Sequence, residues 1–255
     1  METFSTIDPL VYFSGAIIVS LVAVLFITFL LGSIPWGVII SKLVFHKDLR
    51  EEGSGNIGAT NAMRSLGKGG GAAVFLLDFA KGLLSGFVGL WIATYMLGEV
   101  HAAEATYGVT IGLAAEGDGP WLALALAGCT LGHIFSPWLK FKGGKGIAVA
   151  VGAIFVVYGP WLTLLELGIF IAVVAISRYV SAGSIAAAVA CPIIAFVRFW
   201  GDWFSAVVCA VVGLVVIWAH RANIRRLLAH EESRIGSKKE ELAAEKMDLE
   251  AEEEA

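Results

Sequence analysis

At 255 residues, 58% of them apolar and 16% charged, with a formal net charge of −4, the chain holds more apolar surface than a soluble core of its size can bury. A mean hydropathy of +0.80 excludes an ordinary soluble domain and points to a protein that crosses a membrane several times. Cys129, Cys191 and Cys209 all lie in apolar segments, at spacings that match neither a metal site nor a disulfide frame, and read as small core residues.

In chain order, and against the roughly 20 residues that a bilayer helix requires, the apolar stretches fall near 14–43, 71–97, 108–133, 145–159, 161–176, 184–199 and 203–219. The first follows acidic residues and is far longer than a secretory signal core, so it is expected to remain as a span, bent at the GSIPWG break from Gly32 to Gly37. The fourth to sixth stretches are short, and Gly159 with Pro160 separates two of them. A five-span reading with re-entrant pieces therefore stands beside the seven-span one.

Charge placement favours seven, because 17 of the 18 Lys and Arg residues then share one side and only Arg198 is left opposite. Basic residues in short loops mark the cytoplasmic side. The N-terminus is accordingly expected outside, together with an acidic loop 98–120 that carries Glu99, Glu104, Glu116 and Asp118, and the C-terminus inside. The expected fold class is an all-α integral membrane protein with seven transmembrane helices and its active site at the cytoplasmic face. Residues 1–220 form the membrane domain, and 221–255 a basic segment followed by an acidic tail too poor in apolar groups to fold alone.

Two glycine-rich runs in basic loops carry the chemistry. GSGNIGATNAMR from Gly53 to Arg64 brings Ser54, Gly55, Asn56, Asn61 and Arg64, and FKGGKG from Phe141 to Gly146 brings Lys142, Gly143, Gly144 and Lys145. Glycines let backbone N–H groups approach an anion, while Arg and Lys supply charge, so both runs suit phosphate. Asn61 and Arg64 are three apart, as are His220 and Asn223, so each pair shares a helix face. Asp78 and Lys81 have the same spacing, which fits a neutralising pair or a substrate contact. His133 fits a helix end or a ligand contact equally.

Ionisable groups gather at one rim, with Glu166 the clearest one deep in a span, and no convincing internal repeat is present. A transporter would place such groups near the bilayer midplane in both halves. Enzyme chemistry at the interface is the better reading. None of the five histidines has an aspartate five residues on, as a CoA-dependent acyltransferase pair requires, and neither a P-loop nor a metal-ligand cluster is present.

The run GSIPWG (32–37), GSGNIGATNAMRSLGK (53–68), LDFAKG (77–82), GHIFSPWLKFKGGKG (132–146), RYVSAGSI (178–185) and HRANIRRLL (220–228) resembles the PlsY family, the bacterial membrane glycerol-3-phosphate acyltransferases that use acyl phosphate. That resemblance implies a seven-helix enzyme of the bacterial inner membrane, with no cofactor and no bound metal. It would transfer a fatty acyl group to the 1-hydroxyl of glycerol 3-phosphate, and its partners would be these two substrates, the bilayer and the upstream acyl-phosphate synthase, with no nucleic acid. Carried over by motif, Ser54 and Arg64, the backbone at Gly143 and Gly144 with Lys145, and His220 with Asn223 are tied to activity and substrate binding, with Ser54 and His220 expected to be catalytic. Gly55, Asn56, Asn61 and Lys142 are expected to bind substrate from their place in the two glycine-rich loops, and Ser181 from the RYVS turn. Glu232 falls on the family's structural glutamate. The chain departs from the family pattern at Ser136, Pro137 and His230. His220 is the natural base by residue type, and the departing phosphate oxygen could serve as well.

Overall fold

The computed structural model describes residues 9–108, 110 and 117–236. Helices alone are assigned among them: α1 (Pro9–Ser33), α2 (Trp36–Leu43), α3 (Ala59–Tyr107), α4 (Gly119–Ile134), α5 (Ile147–Val157), α6 (Pro160–Ser177), α7 (Val180–Arg198), α8 (Trp203–Ala219) and α9 (Arg221–Leu228), with a 3₁₀ turn at Pro137–Leu139. Large apolar side chains such as Val11, Val22, Phe26, Trp91, Trp161, Ile176 and Trp200 are exposed around the bundle. Only a hydrocarbon surround makes such a surface stable.

The first apolar stretch breaks at Ile34–Pro35, where Pro35 lacks the N–H that would continue the α1 ladder, and α2 restarts beyond it. Helix α3 is interrupted at Gly67, whose φ of 76° lies in the left-handed region. A short helix from Ala59 therefore meets the long span at an angle, which keeps Asn61 and Arg64 in the loop layer.

Five helical stretches are long and apolar enough to cross a bilayer, and α8 with α9, bent by 53° at His220, makes six. The stretch expected at 145–159 is the exception. Helix α5 has 11 residues, about 16 Å of rise, against a hydrocarbon core of about 30 Å. It is cut off by Gly146 in the left-handed region (φ 82°) at one end and by Gly159–Pro160 at the other. The acidic loop expected from 98 is also corrected, since α3 stays helical to Tyr107 and carries Glu99 and Glu104 with it. Glu116, and the tail beyond residue 236, lie outside the described residues.

Helix α4 is the hub. It is the most buried of the candidate spans, and it packs along α1 through glycines that admit backbone: a Cβ on Gly128 would sit 2.1 Å from Thr28 Oγ1 and one on Gly132 2.1 Å from the Phe29 carbonyl oxygen. Helices α3 and α5 meet in the same way, with Gly82 against Val149 and Gly152 against Phe79. Dispersion at such close approach, rather than expulsion of water, holds helices together in lipid. The main core cluster joins α4, α5, α7 and α8 around Leu122, Leu126, Val149, Ile194, Cys209 and Val212. All three cysteines are buried and free.

Candidate active site

The loop before α3 is built around one side chain. The Asn61 amide Nδ2 donates to the carbonyls of Leu49 (3.2 Å) and Glu52 (3.0 Å), and its Oδ1 accepts from the Ser54 N–H (2.8 Å) and hydroxyl (3.1 Å). Gly53, at φ +54°, has no room for a side chain, since a Cβ there would lie 2.4 Å from Asn61 Oδ1. Asn61 is 3% exposed, so it works as the scaffold of the loop. Asn56 Oδ1 accepts from the Gly58 N–H at 3.0 Å. Ser54 and Gly55 are exposed at the loop surface, and Arg64 is half-buried behind them. Asp48 closes the far side with the guanidinium of Arg50 (2.8 Å) and with Lys42 (3.0 Å). The hydrogen bond from Arg50 holds the Asp48 carboxyl well below the usual carboxylate range.

The second glycine loop is built differently. The Gly143 N–H donates to the Ile134 carbonyl (3.0 Å) and the Gly144 N–H to the His133 carbonyl (3.1 Å). These two N–H groups are thus spent inside the protein and are not free for an anion. A Cβ on Gly144 would stand 2.1 Å from His133 Nε2. His133 in turn touches Lys81 Nζ through Nδ1 at 3.0 Å, and Lys81 reaches Asp78 (2.9 Å) and the Ile34 carbonyl (2.6 Å). Asp78, Lys81 and His133 are all buried, so the neutralising-pair reading of Asp78 and Lys81 holds and gains His133 as a third member. This network ties the α1–α2 break, α3 and the second loop together.

Lys145, just after those glycines, is the cation that this anchoring presents. Burial lowers its pKa to about 8, Glu232 opposes the shift, and the nearby guanidiniums of Arg226 and Arg64 add to it. Residues distant in the chain, Arg64 and Lys145, are therefore within electrostatic reach of one another. Lys142 is exposed at the rim.

The third part comes from the α8–α9 break. His220 is 2% exposed, and its Nδ1 lies 2.8 Å from the Val216 carbonyl oxygen. A carbonyl only accepts, so Nδ1 carries the proton and Nε2 keeps a lone pair in the neutral ring. Burial holds the imidazole below its ordinary pKa, so His220 adds no positive charge near neutral pH. Asn223 donates to Glu232 (2.7 Å), and Arg226 Nε donates to the other oxygen of the same carboxylate (2.6 Å). Burial alone would raise the Glu232 pKa, but these hydrogen bonds and the Arg226 charge keep it below the ordinary range. The buried Ser181 hydroxyl lies against the same carboxylate and helps to hold its pKa down, whereas Asn223 Oδ1 is buried without a partner. The segment after α9 is strapped back on the α6–α7 turn: the Ile235 N–H donates to the Arg178 carbonyl (2.9 Å), Arg178 to the Ile235 carbonyl (2.8 Å) and Arg234 to the Tyr179 hydroxyl (2.8 Å).

One layer thus gathers Arg64, Lys145, Ser181, His220, Asn223, Arg226 and Glu232, with Ser54, Gly55 and Lys142 on exposed loops. Arg226 is the member that the sequence reading left unassigned, although its spacing of three from Asn223 puts it on the same helix face. With Arg64, Arg226 and Glu232 all acting on Lys145, three cations against one carboxylate leave net positive charge beside the unpaired Asn223 Oδ1. That combination defines a helical integral-membrane protein with a candidate site for an anion at one end of its bundle.

Comparison with known proteins narrows the class. The family model for glycerol-3-phosphate acyltransferase matches residues 22–230. A glycerol-3-phosphate acyltransferase of Rhodopseudomonas palustris (strain HaA2) is 39% identical over 218 residues, 86% of this chain and 97% of the relative. One of Staphylococcus aureus (strain JH9) is 37% identical over 215 residues, 84% and 98% of the two chains. The crystal structure of PlsY (YgiH), an integral membrane glycerol 3-phosphate acyltransferase, in its glycerol 3-phosphate form superimposes with a TM-score of 0.68 at 34% identity, covering 85% of this chain and 96% of that one. The chain belongs to the glycerol-3-phosphate acyltransferase family, in its PlsY branch.

Proposed function

We propose that the protein transfers a fatty acyl group from acyl phosphate to the 1-hydroxyl of sn-glycerol 3-phosphate, releasing lysophosphatidic acid and inorganic phosphate at the cytoplasmic face of the membrane. The family assignment makes it a PlsY-type glycerol-3-phosphate acyltransferase of the first step of phospholipid synthesis and a multi-pass protein of the inner membrane. Acyl phosphate as donor, the roles of individual residues and the direction of the chain across the membrane are our reading.

The observation that carries this reading is the meeting of Arg64, Arg226 and Glu232 around Lys145, next to the buried, unpaired Asn223 Oδ1. Two phosphate-bearing substrates repel each other, and a cation about 4 Å from a phosphate offsets roughly 4 kcal/mol at a surface-like dielectric. In this reading Lys145 and Arg64 bear on the phosphates, with Ser54, Gly55, Asn56 and Lys142 meeting them from the exposed loops. Asn61 holds Ser54 in place, and Gly143 and Gly144 seat Lys145. Asn223 Oδ1 receives a glycerol hydroxyl, which satisfies a buried group that otherwise costs free energy, and Ser181 binds beside it.

The hydroxyl oxygen attacks the acyl carbonyl carbon, the carbon–oxygen bond to phosphate breaks, and the hydroxyl proton leaves to a base. Acyl phosphate is an activated mixed anhydride, so positioning and charge stabilisation supply most of the rate. We favour the departing phosphate as that base, with neutral His220 binding glycerol 3-phosphate.

The topology in this reading has seven helices, N-terminus outside and C-terminus in the cytoplasm. Helix α5 leaves the Lys145 end and α6 returns to it at Arg178, so this short hairpin preserves the parity that seven spans need. A contact with the enzyme that makes acyl phosphate belongs to the same reading, since that donor is prone to hydrolysis in water.

The test is transfer to labelled glycerol 3-phosphate by the purified full chain in lipid nanodiscs, with palmitoyl phosphate, palmitoyl-CoA and palmitoyl acyl carrier protein supplied in parallel. Labelled lysophosphatidic acid is expected with palmitoyl phosphate alone; product from a thioester and none from the phosphate would overturn the reading.

A further inference from the structure

An apolar cleft with a cavity volume of about 160 Å³ lies below the site, lined by residues of α5, α6, α7 and α8 together with Phe75 of α3 and Leu126 of α4. Its upper wall includes Ile147, two residues after Lys145, and Val216, whose carbonyl receives the His220 imidazole. A substrate with its polar head at Lys145 and His220 thus has one continuous apolar space for its chain. Deeper in the same wall stands Glu166, an acid in a cleft otherwise lined by groups such as Leu126, Ile154, Phe170 and Cys191.

Glu166 is 8% exposed, and its Oε2 is buried with no hydrogen-bond partner among the described residues. The neighbouring hydroxyls are already engaged: Thr163 donates to the Ile154 carbonyl (2.8 Å), and the Tyr158 hydroxyl pairs with Cys191 Sγ (3.2 Å). At 1.5 Å per residue, Glu166 lies roughly 18 Å along α6 from its Arg178 end, deep enough for the far part of a fatty chain to reach. The catalytic layer uses nothing at this depth. An unpaired carboxyl in such a place is costly. A chain that stops above Glu166 leaves room for water to solvate it, whereas one that runs past strips that water and gives nothing back.

We propose that Glu166 is a specificity-determining residue that sets how far an acyl chain enters this cleft, favouring chains that end above its carboxyl over those that extend beyond it. The proposal rests on the reading that the acyl group lies in the cleft with its head at the Lys145 layer. The discriminating ligand is the product, lysophosphatidic acid, whose acyl chain is the same whichever donor supplies it.

The experiment is equilibrium displacement of labelled palmitoyl lysophosphatidic acid from the full chain in nanodiscs by the lauroyl and stearoyl homologues, for wild type, Glu166→Leu and Glu166→Gln. Wild type is expected to prefer the lauroyl homologue relative to any preference set by hydrocarbon burial alone. Glu166→Leu should move the stearoyl-to-lauroyl affinity ratio upward by about tenfold, the scale of a pocket group that accepts or rejects an apolar extension. Glu166→Gln, which still needs partners for its amide, should stay near wild type. A Glu166→Leu ratio within about twofold of wild type, or a shift toward the shorter chain, overturns the proposal. Equal shifts in the Leu and Gln variants overturn it too. If wild type binds no lysophosphatidic acid of any length, the functional reading fails as well.

Discussion

The two glycine loops look alike in sequence and are held in opposite ways. The loop at 53–58 hangs on one side chain, since all four polar contacts of the Asn61 amide go to Leu49, Glu52 and Ser54. The loop at 141–146 hangs on backbone, with Gly143 and Gly144 bonded to the last carbonyls of α4 and pressed on His133. The first therefore presents exposed groups on a trellis that one substitution can cut, whereas the second presents one half-buried lysine on a rigid base. Glycine in the second loop serves close approach to the protein itself, so a glycine-lysine run is a weaker sign of backbone anion binding than its composition suggests.

Substitutions can break this contrast. The largest effect is expected at the cation: Lys145→Ala should lower kcat/KM by about a thousandfold, the scale of a preorganised charge at a reacting group, while protein yield in nanodiscs stays normal. Next is Gly144→Ala, where the new methyl meets His133 and displaces Lys145. A loss of about a hundredfold in kcat/KM is expected, since misplacing a positioned group by about 1 Å costs that much; the matching change at Gly69, which has open space around it, should be silent. Asn61→Ala should cost about 1–3 kcal/mol in thermal or denaturant unfolding through its orphaned carbonyls, with a smaller fall in activity. An unchanged melting temperature would show that the loop does not depend on that amide.

His220→Gln should keep measurable turnover and raise the Michaelis constant for glycerol 3-phosphate by about tenfold, the worth of one hydrogen bond to a charged or polar group. Loss confined to kcat and rescued at high pH would instead make histidine the base. The smallest effect sharpens the picture of Lys145. Its pKa is lowered to about 8, so its positive charge is complete below that pH and disappears as pH rises through it. In the wild type, kcat/KM for glycerol 3-phosphate should fall above pH 8, and Lys145→Arg, which cannot lose its charge there, should flatten that limb.

The sequence made the convergence of charges legible because membrane topology is written in Lys and Arg, and the motifs at 53–64, 141–146 and 220–228 all sit at one end of apolar stretches. It made the end of α3 illegible, because residues 98–107 are polar enough to stop a hydropathy reading while Glu99, Ala102, Ala103 and Glu104 still favour helix. The shortness of α5 was legible in part, since Gly159–Pro160 closes its stretch in the sequence, but its start is set by the left-handed backbone at Gly146, which composition does not reveal. The joining of His133 to Lys81 depends on packing between distant segments, which no local spacing encodes. The fixed tautomer of His220 was out of reach too, because it follows from a carbonyl one turn back that is left accessible where α8 bends.

The strap that fastens Arg234 and Ile235 to the α6–α7 turn has a practical corollary for anyone handling the protein. It bridges the segment that carries Glu232 to the α6–α7 turn, so a tag or protease site inserted between Leu228 and Arg234 should loosen the carboxylate that Asn223 and Arg226 hold. Labels belong in segments that this strap does not bridge.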